Sequence, residues 1–259
     1  MPAPSEAVFR RHRLVTILGL AILAGLSWAW LFAGAGMGIS PQADFAIFAH
    51  RTSGMAMGAP WDAPRLLFIF SMWFVMMVAM MVPAAAPVVL LYGRAAASDS
   101  GRSPSTGRFL AGYLISWALF SIVVVLLQMA LETAGFMTAL GMTLTSRWIV
   151  GGLLIAAGLY QLSAVKNACL SHCQNPAEFI ARHHRSGPLT IGLIHGSYCV
   201  GCCWLLMALL FVGGIMNLAW IAVLTMVVAA EKLLPNGRAI ARVGGMLFLV
   251  WGAAILVAG

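Results

Sequence analysis

Apolar stretches of about 20 residues, separated by short basic or turn-forming segments, recur along the whole of this chain. That length matches the hydrocarbon thickness of a bilayer for a helix that rises about 1.5 Å per residue. Seven such stretches can be marked, at about 14–36, 66–92, 108–132, 147–168, 189–212, 216–234 and 238–258. A backbone inside lipid has to satisfy its own hydrogen bonds, and the pattern lacks the alternation of a barrel strand, so helices are expected. Composition agrees: 62% of residues are hydrophobic and 8% charged, whereas a soluble domain carries about a quarter charged residues to face water. The expected fold class is all-α, a polytopic transmembrane helix bundle of about seven spans forming one membrane domain over residues 1–259. No internal repeat suggests paired transporter halves.

The basic residues set the expected orientation, because cytoplasmic segments collect Lys and Arg. With the N-terminus inside, the inner segments hold Arg10, Arg11, Arg13, Arg94, Arg102, Arg108, Lys166, Arg182, Arg185, Lys232, Arg238 and Arg242, which is 12 of the 15 basic residues. Arg51, Arg65 and Arg147 fall outside. Seven spans therefore run N-in to C-out. The formal charge of +8 belongs to these clusters, which suit anionic lipid headgroups rather than nucleic acid. The apolar core from Leu14 to Phe32 is longer than the h-region of a secretory signal and reads as a retained anchor helix. The segment Arg94–Arg108 (RAAASDSGRSPSTGR) reads as a flexible cytoplasmic linker.

Against that background the cysteines stand out by position. Cys169, Cys173, Cys199, Cys202 and Cys203 all fall within one 35-residue stretch, a bunching and an odd count unlike a secreted disulfide framework. If the fourth helix continues to about Gln174, Cys169, His172 and Cys173 stand at i, i+3 and i+4 on one face. On the fifth helix His195, Cys199 and Cys202 stand at i, i+4 and i+7, with Cys203 beside them. Counted from the connection between the helices, Cys169 and His195 each lie roughly 10 Å deep and Cys199 roughly 16 Å. A hairpin of the two helices would thus bring Cys169, Cys173, His195 and Cys199 together, with Cys202 and Cys203 one turn deeper. His172 points about 60° away from Cys169 and is the weaker ligand of the set.

Thiolates with an imidazole are soft-to-borderline donors, which suit a transition-metal ion: Cu(I) first, in low coordination, and Zn(II) second, in a closed tetrahedron. Lys166, Arg182 or Arg185 is the expected cation beside the thiols. A single buried cysteine is ordinarily a small hydrophobe, but five on matching faces with an aligned histidine point to metal or redox chemistry. Cys199-Val-Gly-Cys202 also has the C-x-x-C spacing of dithiol relays, so a membrane thiol–disulfide oxidoreductase is the alternative. A non-catalytic assembly partner of a membrane complex, or a homo-oligomer, is a third reading. His183 and His184 lie in a basic segment and read as solvated.

Met72, Met76 and Met80 form a thioether ladder at i, i+4 and i+8 on the second helix, and His50, Met55 and Met57 precede it on the outer side. Thioethers hold Cu(I) and resist disulfide formation, although methionine is also an ordinary core filler. Glu231-Lys232 is an ionisable pair at the cytoplasmic end of the sixth stretch, readable as a functional group or as an interfacial anchor. Glu132 reads as a solvated helix end. Gly151, Gly152, Gly213, Gly214, Gly244 and Gly245 read as close helix packing, and Trp28, Trp30, Trp61, Trp148 and Trp220 as interfacial belts. No nucleotide-binding, serine-nucleophile or HExxH pattern is present, so binding is expected rather than catalysis.

The run Tyr160-Gln-Leu-Ser-Ala-Val-Lys-Asn-Ala-Cys-Leu-Ser-His-Cys173, the motif Cys199-Val-Gly-Cys-Cys-Trp-Leu-Leu-Met207, the segment Met216-Asn-Leu-Ala-Trp220 and Glu231-Lys232 resemble a bacterial family of predicted metal-binding integral membrane proteins, a domain of unknown function. The methionine-rich helix from Met72 through Pro87 is similar to that family's second helix, and the likeness covers about residues 65–258. The resemblance implies metal binding and the bacterial cytoplasmic (inner) membrane.

Overall fold

The apolar stretches become helices, in a computed structural model that describes residues 4–34, 60–100, 105–138, 142–183 and 185–258. In chain order these are α1 (Pro4–Phe32), α2 (Ala63–Ser100), α3 (Thr106–Thr133), α4 (Arg147–Leu162), α5 (Ala164–Gln174), α6 (Pro176–His183), α7 (Pro188–Ala208), α8 (Leu210–Gly213), α9 (Leu218–Leu233) and α10 (Gly237–Ala258). His50, Arg51, Met55, Met57, Arg102 and His184 lie outside the described residues.

Five segments are long and apolar enough to cross a membrane: 10–32, 63–96, 106–133, 188–213 and 237–258. A sixth arises if α4 and α5, bent by 62° at Ser163, are counted as one span. The sixth expected stretch, 216–234, folds as α9, which has 16 residues, or about 24 Å of helix. Apolar side chains such as Leu18, Leu119, Val123, Leu247 and Val250 face outward, a surface suited to lipid rather than water.

The fourth stretch differs from the continuous helix the sequence suggests. Ser163 leaves helical geometry, its Oγ accepts from the Lys166 backbone N–H at 3.1 Å, and a new helix starts there. A serine that satisfies an orphan N–H in this way is an N-cap. It turns Cys169, His172 and Cys173 onto a short helix of their own. The linker reading of Arg94–Arg108 also changes at its start, because α2 runs on through Ser100. The alanine-rich sequence after Arg94 favours helix and carries α2 past its apolar part.

Pro83 lies inside α2 and has no N–H to give the carbonyl four residues back. That carbonyl, on Ala79, instead accepts from Trp28 Nε1 of α1 at 3.1 Å. Trp28 is thus an internal clasp between α1 and α2 rather than a belt residue.

Two helix pairs pack backbone to backbone. A Cβ at Gly192 of α7 would lie 2.0 Å from the Phe109 carbonyl oxygen of α3, and one at Gly112 would lie 2.1 Å from Leu189 O. Gly196 repeats the contact one turn further along α7, against Ser116. Between α4 and α10 the matching positions are Gly151 with Gly252 and Gly158 with Gly245. Gly152, by contrast, has open space around it. The first pair matters most, since it seats the cysteine helix against α3.

At the other end of α2, Arg65 pairs with Glu132 of α3 at 2.7 Å, with both side chains buried. Gln128 Nε2 donates to Glu132 at 3.0 Å and Trp73 Nε1 donates to Gln128 at 2.8 Å. Glu132 is therefore an anchored internal acid, not a solvated end, because Arg65 reaches it across the helix pair.

Candidate functional site

The cysteines of α7 lie at i, i+3 and i+4, so Cys199, Cys202 and Cys203 fall toward one side of that helix, and all three are buried. Cys202 Sγ and Cys203 Sγ donate to the Cys199 carbonyl at 3.2 Å and 2.9 Å. The short helix α5 packs along α7 and carries Cys173, which is also buried.

Cys199 has two further partners from other helices. Lys232 of α9 donates from Nζ to its sulfur at 2.8 Å, and the Tyr113 hydroxyl of α3 lies 3.1 Å from the same sulfur. Lys232 Nζ also lies 3.7 Å from Cys203 Sγ and 3.8 Å from Met81 Sδ of α2. The Tyr113 hydroxyl donates to the Met81 carbonyl at 3.2 Å. Four helices thus meet at one sulfur, each through a side chain that touches it or its neighbours.

The remaining sequence candidates occupy different places. Cys169 is half-buried and lies against the α7 backbone, its Sγ 3.2 Å from where a Gly201 Cβ would stand. His195 is buried one turn before Cys199, and its Nδ1 has no hydrogen-bond partner among the described residues. Its ring sits among Phe179, at 5.2 Å between centroids, and Tyr113, at 5.8 Å. His172 stacks on Tyr198 at 4.1 Å, with Nδ1 2.8 Å from the Ala168 carbonyl oxygen. Met72, Met76 and Met80 are all buried in the core beside α2's Met81.

The charges are arranged differently from the sequence expectation. Lys166 pairs with Glu231 at 2.6 Å, fully buried, and Arg182 pairs with Glu178 on the exposed face of α6. Gln161 Nε2 donates to the second Glu231 oxygen at 2.7 Å. The cation beside the thiols is Lys232, and the reading of Glu231-Lys232 as an interfacial anchor does not fit residues 1% and 6% exposed. Adjacent helical residues diverge by about 100°, so Glu231 faces α5 while Lys232 faces α7. Tyr113 and Met81 were not among the sequence candidates, and Lys232 was named there only as part of the Glu231-Lys232 pair, not as a partner of the thiols. The divergence of Glu231 from Lys232 was the one signal that could have pointed to the lysine.

Among the described residues, no three His, Cys, Asp or Glu side chains are gathered as a ready-made metal-binding group. The sulfurs of Cys199, Cys203 and Met81 do meet around Lys232 Nζ, and thiol and thioether donors suit soft ions.

A family model described as PpoB2, copper chaperone, matches residues 70–255. The chain belongs to this family. The match spans the methionine-rich α2, both cysteine helices and Glu231-Lys232, and it fits the metal-binding family that the sequence resembles. No curated protein and no solved structure matches the chain significantly. Membership of the copper chaperone family makes metal handling the chain's general business.

Proposed function

We propose that this chain binds Cu(I) through the thiols around Cys199 and passes it on, as a seven-span protein of the bacterial cytoplasmic membrane with its N-terminus inside. The observation that carries the reading is the meeting of Cys199, Cys203 and Met81 sulfur around Lys232 Nζ, with Cys202 also on α7 and Cys173 on α5, which packs against α7, in a chain of the copper chaperone family. Two or three of those sulfurs suffice for Cu(I), which accepts low coordination, whereas Zn(II) wants four ligands in a tetrahedron. His195 Nδ1, buried and without a hydrogen-bond partner among the described residues, is an additional donor one turn away. Cys169, against the α7 backbone near Cys202, is a receiving or releasing position at the edge of the group.

The apolar exterior supports the membrane location. The basic clusters support the orientation, and α9 with the bent α4–α5 pair completes seven crossings. A chaperone has to surrender its ion, so a recipient protein in or at the membrane is part of this reading.

The test is thiol alkylation of the detergent-purified chain with and without Cu(I) under reducing, anaerobic conditions. Protection of Cys199, Cys202 and Cys203 by Cu(I) supports the proposal. A Cys199–Cys202 disulfide that forms only when a quinone is added, with no protection by Cu(I), would favour the oxidoreductase instead.

A further inference from the structure

Glu231 and Lys232 are neighbours in sequence, yet the carboxylate is committed elsewhere. Glu231 binds Lys166 and Gln161, and among the described residues no carboxylate pairs with Lys232. The Lys232 ammonium is buried against Cys199 Sγ, Cys203 Sγ and Met81 Sδ, at 2.8, 3.7 and 3.8 Å. A buried ammonium with only sulfur around it is costly to keep. An apolar residue would pack α9 at lower cost, so the charge asks for an explanation in terms of the site.

The geometry points to Lys232 as the residue that makes this sulfur site choose a monovalent ion over a divalent one. The inference rests on the proposed copper site and adds the basis of its selectivity. Two physical effects act in the same direction. The ammonium places one positive charge beside the sulfurs, and the repulsion it exerts scales with the charge of the incoming ion, so Zn(II) is opposed twice as strongly as Cu(I). An ammonium also has three donor hydrogens and no lone pair. It therefore fills one side of the sulfur group without becoming a ligand. A closed tetrahedral set, which Zn(II) requires, is blocked there, while a two- or three-sulfur set remains available. Glu231, held by Lys166 and Gln161 on the α5-facing side of α9, is directed away from the ammonium of Lys232.

The test compares competitive Cu(I) and Zn(II) titrations of the full-length detergent-purified chain against chromophoric chelators, with X-ray absorption to count the sulfur neighbours of each ion. Wild type is set beside Lys232→Gln and Lys232→Arg. Removal of the charge in Lys232→Gln is expected to lower the ratio of Cu(I) to Zn(II) affinity by at least about tenfold, with Zn(II) gaining a fourth neighbour. Lys232→Arg keeps the ratio near that of wild type. Should Lys232→Gln not remain monodisperse, Lys232→Leu fills much of the volume with neither charge nor donor atom and is expected to shift the ratio the same way. An unchanged ratio in the charge-free variants, or an equal shift in Lys232→Arg, overturns the inference while leaving the copper site standing. Failure of wild type to take up Cu(I), or uptake that survives Cys199→Ser, overturns the site itself and the inference with it.

Discussion

Lys232 Nζ stands 2.8 Å from Cys199 Sγ, joining α9 to α7 through an ammonium and a sulfur 33 residues apart in sequence. The same sulfur also lies 3.1 Å from the Tyr113 hydroxyl of α3. The site is therefore not a property of the cysteine helix alone, and its behaviour should respond to changes on three other helices.

Tyr113→Phe removes one hydroxyl that touches both Cys199 Sγ and the Met81 carbonyl and leaves the ring in place. Loss of a single buried hydrogen bond is worth about 1 kcal/mol. Cu(I) retention measured by chelator competition is expected to fall about fivefold, while the thermal unfolding midpoint moves little. An unchanged Cu(I) affinity would remove Tyr113 from the site.

Glu231→Gln leaves Lys166, which is fully buried, without its ion partner. Breaking one side of a buried pair costs about 3–5 kcal/mol, so a marked drop in thermal stability in detergent is expected. The double change Lys166→Met with Glu231→Gln removes both charges and should recover much of that loss. A single variant as stable as wild type would show that the pair does not hold α5 to α9.

Gly192→Ala should be far more damaging than its size suggests, because the added Cβ would lie 2.0 Å from the Phe109 carbonyl oxygen. Backbone cannot give way cheaply there, and overpacking costs about 1–3 kcal/mol or more. Separation of α3 from α7 would also pull Tyr113 from Cys199. Gly152→Ala, with nothing within 4 Å of the added atom, is the control and should be neutral to slightly stabilising. Size-exclusion profiles and melting curves of the two variants check the contrast.

Cys169 is the half-buried thiol, while Cys173, Cys199, Cys202 and Cys203 are buried. A maleimide added to the metal-free chain in detergent is expected to modify Cys169 at least about tenfold faster than the other four, since reaction needs access to the sulfur. Mass spectrometry after short exposures reads the order. Simultaneous labelling of all five would contradict the packing described around α7.

The helical character and the long apolar segments could be read directly from the chain, since length and apolarity are one-dimensional properties. The grouping of cysteines on two consecutive segments was also visible, as a matter of spacing. The bend between α4 and α5 was harder to see: no proline or glycine marks it, and Ser163 is one serine among several until its Oγ is seen on the Lys166 N–H. The Trp28 clasp was in principle readable from Pro83, whose missing N–H leaves the Ala79 carbonyl free. The partners of the charges were not readable. Lys166, Arg182 and Arg185 were nearer in sequence to the cysteines than Lys232, and only the three-dimensional packing assigns Lys166 to Glu231 and Lys232 to Cys199.

The most direct test of the account is elemental analysis of the detergent-purified chain after anaerobic Cu(I) loading and desalting, beside a Cys199→Ser/Cys202→Ser variant of matched monodispersity. The account predicts stoichiometric copper on the wild-type chain and its loss from the variant. Copper absent from both samples, or equal in the two, would contradict it.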